Sequence, residues 1–207
     1  MSKGKFIVFE GLDGSGKTTQ IKLLEKHLAL SGRRVFLTAE PTVSLSGGML
    51  RDALSGLSKK TPTEMAAMFV LDRIFHNVNP VSGINKMLEY GYDVICDRYY
   101  YSSLAYQGSE TDFGWVRDMN LNCPDIRHPD LCVFIDLDPG VCIERITAGR
   151  TTTEIYEKRE ILETFRRKYL EIFELTGDKV AVIDGNGSAD VVAERVAAAV
   201  DELFEKN

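Results

Sequence analysis

Five short apolar runs divide the chain, and each is bounded by charged residues, glycine or proline. Runs that stay apolar at successive positions indicate strands buried on both faces of a parallel sheet. Between the runs, apolar residues recur every three or four positions, which is typical of amphipathic helices. The predicted strands cover residues 6–9, 34–39, 92–96, 131–137 and 179–183.

The segments between the strands are predicted to be helical. Thr61 and Pro62 form the clearest helix start, a cap residue followed by proline at the first helical position. The expected helices cover residues 17–30, 49–54, 61–77, 81–90, 99–107, 112–121, 140–148 and 154–176, with a last one after 188. Strands that alternate with helices predict an α/β fold of three layers, a five-stranded parallel sheet flanked by helices, in one domain over residues 1–207.

The first strand leads directly into a glycine-rich loop that matches G-x-x-x-x-G-K-[ST] at residues 11–18. Such a loop lets successive backbone N–H groups converge on phosphate oxygens, and the following helix N-terminus adds partial positive charge. Lys17 would reach the β and γ phosphates of a nucleotide, and the Thr18 hydroxyl would ligate Mg²⁺. The residues predicted to bind ATP here are Gly11, Leu12, Asp13, Gly14, Ser15, Gly16, Lys17, Thr18 and Thr19.

Composition narrows the possible partners. Twenty-five Lys and Arg against 31 Asp and Glu give a net charge of −6, and no basic block occurs, so no nucleic-acid or membrane partner is expected. No apolar run approaches the roughly 20 residues of a membrane-spanning helix. The four cysteines lack C-x-x-C spacing and the three histidines are isolated, so we expect free thiols in a reducing cytoplasm and no zinc site.

Polar motifs follow the ends of the predicted strands. The first strand ends at the glycine-rich loop, the second at Glu40-Pro41, the third at Asp97-Arg98 and the fifth at the loop 185–188. Ligands of parallel sheets bind beyond the carboxyl ends of the strands. These segments are therefore expected to meet in one cleft.

Several motifs, in this order and spacing, resemble those of thymidylate kinases. They are FEGLDGSGKTTQ at 9–20, EPT at 40–42, F-x-x-x-R at 69–73, DRYYYSSLAYQG at 97–108 and PDL at 129–131 with DL at 136–137. The match covers nearly the whole chain. It implies the nucleoside monophosphate kinase version of the P-loop fold, with a short lid at about residues 145–156. It also implies transfer of the γ-phosphoryl group of ATP to dTMP, with Mg²⁺ as cofactor and a homodimeric enzyme.

The resemblance also implies roles for individual residues. Arg98 would clamp the dTMP phosphate, Asp97 would hold the Mg²⁺ water shell, and Asp13 would bond the 3′-hydroxyl of the deoxyribose. The residues implied to bind the acceptor are Asp13, Glu40, Pro41, Phe69, Arg73, Arg98, Ser102, Ser103, Tyr106 and Gln107. Homodimer contacts would involve residues 64–75 and 99–106.

Within the acceptor set, Phe69 would stack on thymine, Arg73 would bond an exocyclic oxygen, and Tyr106 would pack under the sugar near C2′. Ser103 stands where a longer polar side chain often contacts the pyrimidine edge, so a water would bridge the gap. Spacing alone favours core packing for Phe69 and Tyr106, and only the resemblance favours contact with the nucleotide. Arg73 could then be a surface residue paired with Asp72 or Glu64.

Position 14 is glycine, so the loop itself supplies no arginine to the transferred phosphoryl group. The expected lid contains two arginines that could contact ATP, Arg150 and Arg145. Arg150 would stabilise charge on the phosphoryl oxygens. The predicted catalytic residues are therefore Arg150 together with Lys17, Arg98 and Asp13. Arg145, on the preceding helix, would stack on adenine.

Other functions on the same scaffold are a kinase for another deoxynucleotide, a deoxynucleoside kinase and a GTP-binding regulatory protein. Arg98 favours a phosphorylated acceptor, because it needs an anion to contact. A nucleoside kinase would instead need a carboxylate base, for which Glu40 or Asp97 could serve. The N-K-x-D motif with which GTPases read guanine does not occur.

Overall fold

A computed structural model of the protein describes residues 3–149 and 159–205. Its centre is a five-stranded parallel sheet with the strand order β2-β3-β1-β4-β5. The strands are β1 Phe6–Gly11, β2 Val35–Ala39, β3 Asp93–Asp97, β4 Leu131–Asp136 and β5 Val180–Asp184. The predicted parallel sheet is confirmed, and it places the P-loop strand β1 in the middle.

The helices follow the predicted order. They are α1 Lys17–Leu30, α2 Leu45–Leu54, α3 Pro62–Val78, α4 Ile84–Glu89, α5 Tyr100–Ala105, α6 Gln107–Glu110, α7 Phe113–Leu121, α8 Pro139–Gly149, α9 Arg159–Thr176 and α10 Ala189–Glu205. α3 starts as predicted, with a capping box between Thr61 and Glu64. α2 begins earlier than the predicted residue 49, because the Ser44 hydroxyl caps its N-terminus by accepting from the Gly47 N–H.

Each face of the sheet carries its own apolar core. Phe6 and Val8 of β1 point to the face that contains α3, α5 and α9. Ile7 and Phe9 point to the opposite face, where α1 and α10 pack. This alternation follows from the period of two along a strand, and helices on both faces explain why all six residues of β1 are buried.

The expected lid, about residues 145–156, lies only partly within the described residues. Arg145 lies in α8, which continues to Gly149, and α9 is described from Arg159. Arg150 and the rest of the expected lid lie outside the described residues. Along the described residues, no helix combines the length and apolarity that crossing a membrane requires.

Candidate active site

The loop between β1 and α1 needs glycine for steric reasons. Gly14 has φ 80°, and a Cβ there would lie 2.4 Å from the carbonyl oxygen of Cys142 in α8. Gly11 has φ 147°, and its Cβ would lie 2.9 Å from the carbonyl oxygen of Ile135. Both positions therefore exclude side chains. The packing against α8 also explains why no arginine can stand at position 14.

Lys17, the first residue of α1, reaches back over the loop. Its Nζ donates to the carbonyl oxygens of Gly11 at 2.9 Å and Leu12 at 3.0 Å, and lies 3.9 Å from the Asp13 carboxylate. Burial, and then the nearby Arg98 guanidinium, lower the pKa of Lys17 to about 8. The ammonium group is thus held against the backbone of the loop, and the first turn of α1, whose N–H groups favour an anion, follows this loop directly.

Thr18 and Asp97, the two residues predicted to hold Mg²⁺, both line a cavity of about 350 Å³ beside the glycine-rich loop. The Asp97 Oδ1 atom is buried and has no hydrogen-bond partner within the described ranges 3–149 and 159–205. A buried carboxylate oxygen without a donor is a group that a hydrated cation would satisfy. One carboxylate, one hydroxyl and nucleotide phosphates form the oxygen-rich donor set that Mg²⁺ prefers, so these residues fit the ion.

Arg98 follows β3 and has φ 67°, a left-handed conformation that is uncommon for a residue with a side chain. Its N–H donates to the Phe9 carbonyl oxygen at 2.9 Å, which ties the turn to β1. Its guanidinium bonds the Asp13 carboxylate directly and donates to the Ser102 hydroxyl at 3.0 Å. Although burial alone favours the neutral form, Asp13 raises the pKa of Arg98 well above its ordinary value. Arg98 therefore presents a permanent cation between the loop and a second cavity.

The second cavity, of about 200 Å³, adjoins the first and shares Asp13, Glu40 and Arg98 with it. Its remaining lining residues are Pro41, Leu54, Phe69, Arg73, Tyr99, Ser102, Tyr106 and Gln107. Nine of the ten residues predicted to bind the acceptor thus lie around one cavity. Ser103 is the exception.

Arg73 is 1% exposed, and three other side chains contact its guanidinium group. Its Nε donates to Glu40 at 2.8 Å, and its Nη2 lies 2.7 Å from the same carboxylate oxygen. Nη1 donates to the Asn120 side-chain oxygen, and Nη2 also donates to the Ser103 hydroxyl at 3.2 Å. The surface alternative, with Asp72 or Glu64 as partner, is therefore wrong. Arg73 also lines the second cavity, and one of the two N–H groups on its Nη1 has no partner within the described residues.

Ser103 does not line the acceptor cavity. It is buried behind Arg73, and its described contact is with that guanidinium. The expected contact of Ser103 with the pyrimidine edge thus has no counterpart in this geometry. Ser103 instead helps to orient Arg73.

Both carboxylate oxygens of Glu40 are held by other side chains. Its Oε2 faces Arg73, and its Oε1 lies 3.0 Å from Nδ1 of His76, whose Nε2 lies 2.7 Å from the Thr38 hydroxyl. A general base must reach the proton it removes. Glu40 is therefore unsuited to the role of base that a nucleoside kinase requires.

Phe69 and Tyr106 differ in their surroundings. Phe69 is half-buried at the cavity wall and lies outside the buried core. Tyr106 belongs to the core as well as to the cavity, with its ring centroid 4.1 Å from that of Phe165. Arg145 lies on the outer side of the loop, with Nη1 3.5 Å from the Ser15 carbonyl oxygen.

Sequence reasoning missed three buried polar residues around the site: Glu10, His76 and Asn120. Glu10 ends the apolar run of β1, and a carboxylate inside a buried strand was a detectable signal. Asn120 stands one helical turn after the buried Val116, a position where an apolar residue is expected. His76 is one of three histidines that are isolated in the sequence, and only its spatial neighbours reveal its contact with Glu40.

The glycine-rich loop and the second cavity meet at Arg98, on a parallel sheet whose central strand leads into that loop. A shared cation at such a junction suits the transfer of a phosphoryl group from a nucleotide to an anionic acceptor. The fold and the site thus define a P-loop phosphotransferase.

Comparisons with known proteins narrow this class. A family model described as thymidylate kinase matches residues 9–196, and the chain belongs to the thymidylate kinase family. A protein of Pyrococcus horikoshii named "Probable thymidylate kinase" is 37% identical over 98% of both chains. Proteins named "Thymidylate kinase" from Caldicellulosiruptor saccharolyticus and Thermosipho melanesiensis are 35% and 33% identical, and the alignments cover 99% and 97% of this chain and 99% of each relative. Members of this family are ATP-dependent nucleoside monophosphate kinases.

Proposed function

We propose that the protein phosphorylates dTMP with ATP as the donor and gives dTDP and ADP. The observation that carries this proposal is the acceptor cavity itself. Arg98 stands at its junction with the P-loop, and Arg73 and Phe69 line the same cavity. An acceptor with a phosphate at one end and a flat, carbonyl-bearing base at the other matches this arrangement.

On the donor side, we assign the β and γ phosphates to the backbone of the loop and to Lys17. Arg145 lies beside the loop and suits stacking on adenine. Arg150, outside the described residues, is assigned from the sequence to the charge on the transferred group. Thr18 and Asp97 would hold Mg²⁺, which when bound would neutralise phosphate charge and orient the phosphoryl oxygens.

On the acceptor side, Arg98 would bind the phosphate, and Asp13 would accept from the 3′-hydroxyl. Phe69 would stack on thymine, while the free N–H of Arg73 would donate to an exocyclic oxygen. Binding would require Arg98 to share Asp13 with the substrate, because the two side chains form an ion pair.

The direct test is an ADP-release assay with ATP, Mg²⁺ and a panel of acceptors: dTMP, dUMP, dCMP, UMP and thymidine. We expect dTMP to be preferred over dUMP by about 10-fold in kcat/KM, a typical contribution of one methyl group in a fitted pocket. EDTA should abolish turnover. Turnover of thymidine equal to that of dTMP, or no turnover of dTMP, would contradict the proposal.

Tyr106→Ala should weaken the preference for deoxyribose over ribose. Its ring closes the cavity against Phe165, and we place the sugar C2′ above it, where a hydroxyl would clash. The ratio of kcat/KM for dTMP to that for the ribonucleotide should fall by about 10-fold. Tyr106→Phe keeps the ring and should keep the ratio. If Tyr106→Ala lowers kcat/KM for dTMP and for the ribonucleotide by the same factor, the Tyr106 side chain contributes only to packing.

We also propose a homodimer whose contact lies on α3. Leu71, Phe75 and Val78 are 59%, 44% and 46% exposed and form one stripe, spaced four and three residues apart. An apolar helix stripe facing solvent is typical of an interface. Residues 99–106, the second contact face expected from the resemblance, are left out of this proposal because α5 is buried within the chain.

Phe75→Glu should therefore convert a dimer into a monomer, as measured by sedimentation equilibrium at micromolar concentration. The charge would be buried in the interface without compensation. Leu30→Glu, at an exposed apolar position at the end of α1, is the control and should remain dimeric. A monomeric wild-type protein would overturn the proposal.

We place the enzyme in the cytoplasm, where its nucleotide substrates are made. Four free cysteines, three of them buried, agree with a reducing compartment. We further propose that residues 1–207 act as one domain.

A further inference from the structure

Glu10 is a buried carboxylate to which the proposed function assigns no role. It follows Phe6 and Val8 on the same face of β1, and its exposure is 0%. Removing a carboxylate from water costs several kcal/mol unless hydrogen bonds compensate. A carboxylate retained immediately before the phosphate-binding loop therefore calls for a physical explanation.

Four hydrogen bonds surround this carboxylate. Oε1 accepts from the backbone N–H groups of Tyr99 at 2.9 Å and Ser102 at 3.1 Å. Oε2 accepts from the hydroxyls of Ser102 at 2.8 Å and Tyr169 at 3.0 Å. The carboxylate thus joins β1, the turn after β3 and the helix α9.

The same two hydroxyls also contact Arg98. Its Nη1 lies 3.0 Å from the Ser102 hydroxyl and 3.5 Å from the Tyr169 hydroxyl. A hydroxyl has one proton and two lone pairs, whereas a guanidinium only donates. When both hydroxyl protons point to Glu10, both oxygens can accept from Arg98.

Glu10 acts on the backbone of Arg98 as well. Arg98 has φ 67°, and the peptide that follows it is held by the bond from the Tyr99 N–H to Glu10. A residue in this region of backbone space persists only where its surroundings hold it. The carboxylate therefore contacts both the backbone and the side-chain partners of the residue assigned to the acceptor phosphate.

We propose that Glu10 is a positioning residue for Arg98: its carboxylate holds the turn after β3 and directs two hydroxyl lone pairs at the guanidinium. The proposal rests on the proposed function, in which Arg98 binds the acceptor phosphate. Burial raises the pKa of Glu10 above its ordinary value, while the charge of Arg98 and the bonds from Tyr99 and Ser102 oppose this shift.

Glu10→Gln is the sharpest substitution, because an amide of the same shape fits in neither orientation. If its NH₂ group faces the two backbone N–H groups, donors oppose donors. If the NH₂ group faces the hydroxyls, both lose the acceptor for their protons: one proton can turn to the other hydroxyl, 2.9 Å away, and the second then turns toward the Arg98 guanidinium, where donors oppose donors. Either arrangement disturbs Arg98 without removing any side chain that we assign to ATP.

The experiment compares steady-state kinetics for Glu10→Gln, Arg98→Ala and the double variant, with ATP affinity measured separately by calorimetry. For Glu10→Gln we expect KM for dTMP to rise by about 10-fold or more, as for a lost bond to a charged group, with little change in ATP affinity. In the Arg98→Ala background the same substitution should have no further effect on KM for dTMP.

Asp178→Asn is a matched control. Asp178 also accepts from two buried tyrosine hydroxyls, Tyr100 at 2.5 Å and Tyr101 at 2.7 Å, but it has no described contact with the site. The Asp178→Asn substitution should lower the unfolding temperature and leave KM for dTMP unchanged.

A second variant, Tyr169→Phe, covers the case that Glu10→Gln fails to fold, because it removes one of the two hydroxyls that contact Glu10 and keeps the carboxylate. It should raise KM for dTMP by about 3-fold, as expected for one neutral hydrogen bond.

Three results would overturn the proposal. They are an unchanged KM for dTMP in Glu10→Gln, a parallel loss of ATP and dTMP binding, and an effect that adds fully to that of Arg98→Ala. If Glu10→Gln does not fold, an unchanged KM in Tyr169→Phe overturns it. A failure of the proposed function is distinguishable, because it would appear in the wild-type protein as a lack of dTMP turnover.

Discussion

Lys17→Ala is expected to lower kcat by roughly 10²- to 10³-fold, which corresponds to about 3–4 kcal/mol of lost transition-state stabilisation. The Nζ group lies at the start of α1, within bonding distance of the loop carbonyls, where phosphates would be bound. A cation at this point opposes the negative charge that develops on the transferred group. Single-turnover kinetics with saturating ATP and dTMP would measure the loss.

Lys22→Ala is the matched control for this prediction. Lys22 is exposed and lies on the same helix, slightly more than one turn later. Its loss should leave kcat unchanged, while circular dichroism should show both variants folded. Near-normal turnover in folded Lys17→Ala would mean that this loop does not hold the reacting phosphates.

Arg73→Ala is expected to produce the largest loss of stability. The substitution leaves the Glu40 carboxylate buried without its cation, which costs about 3–5 kcal/mol of unfolding free energy. It also leaves Asn120 and Ser103 without their shared donor. Urea unfolding would measure this loss, and KM for dTMP should rise in whatever folded fraction remains, with less effect on KM for ATP.

Two further variants separate the stability effect from the binding effect. Arg73→Ala combined with Glu40→Gln removes the unpaired charge and should recover part of the lost stability, while dTMP binding stays weak. Arg117→Ala breaks an exposed ion pair with Asp118 and should change stability little. A stable Arg73→Ala variant with normal KM for dTMP would show that this arginine is dispensable for both fold and binding.

The strands and helix ends whose signals lie within a few neighbouring residues were predictable from the sequence. The strands were recognised because buried parallel strands are apolar at successive positions, and β1, β3 and β4 are indeed buried along most of their length. The α3 capping box follows from residues only three apart. The start of α2 was missed, since a serine cap outweighs two glycines whose helix propensity is poor.

The site was predictable as a set of residues but not as a set of contacts. The resemblance to thymidylate kinases implied the acceptor residues, and the fold then gathered nine of the ten around one cavity. The pairing of Arg73 with Glu40 joins residues 33 positions apart on different elements. Neither periodicity nor spacing names a partner at such a distance.

The linear chain alone was sufficient for the phosphate-binding loop, since its chemistry lies within eight consecutive residues whose conformation glycine permits. The roles of Glu10, Ser103 and Glu40 depended on the tertiary structure. Each is a polar side chain whose behaviour is set by the donors around it, and those donors come from helices and turns far away in the chain. Burial makes every such contact energetically important, so the assembled fold determines whether a polar residue binds the substrate or holds another residue that does.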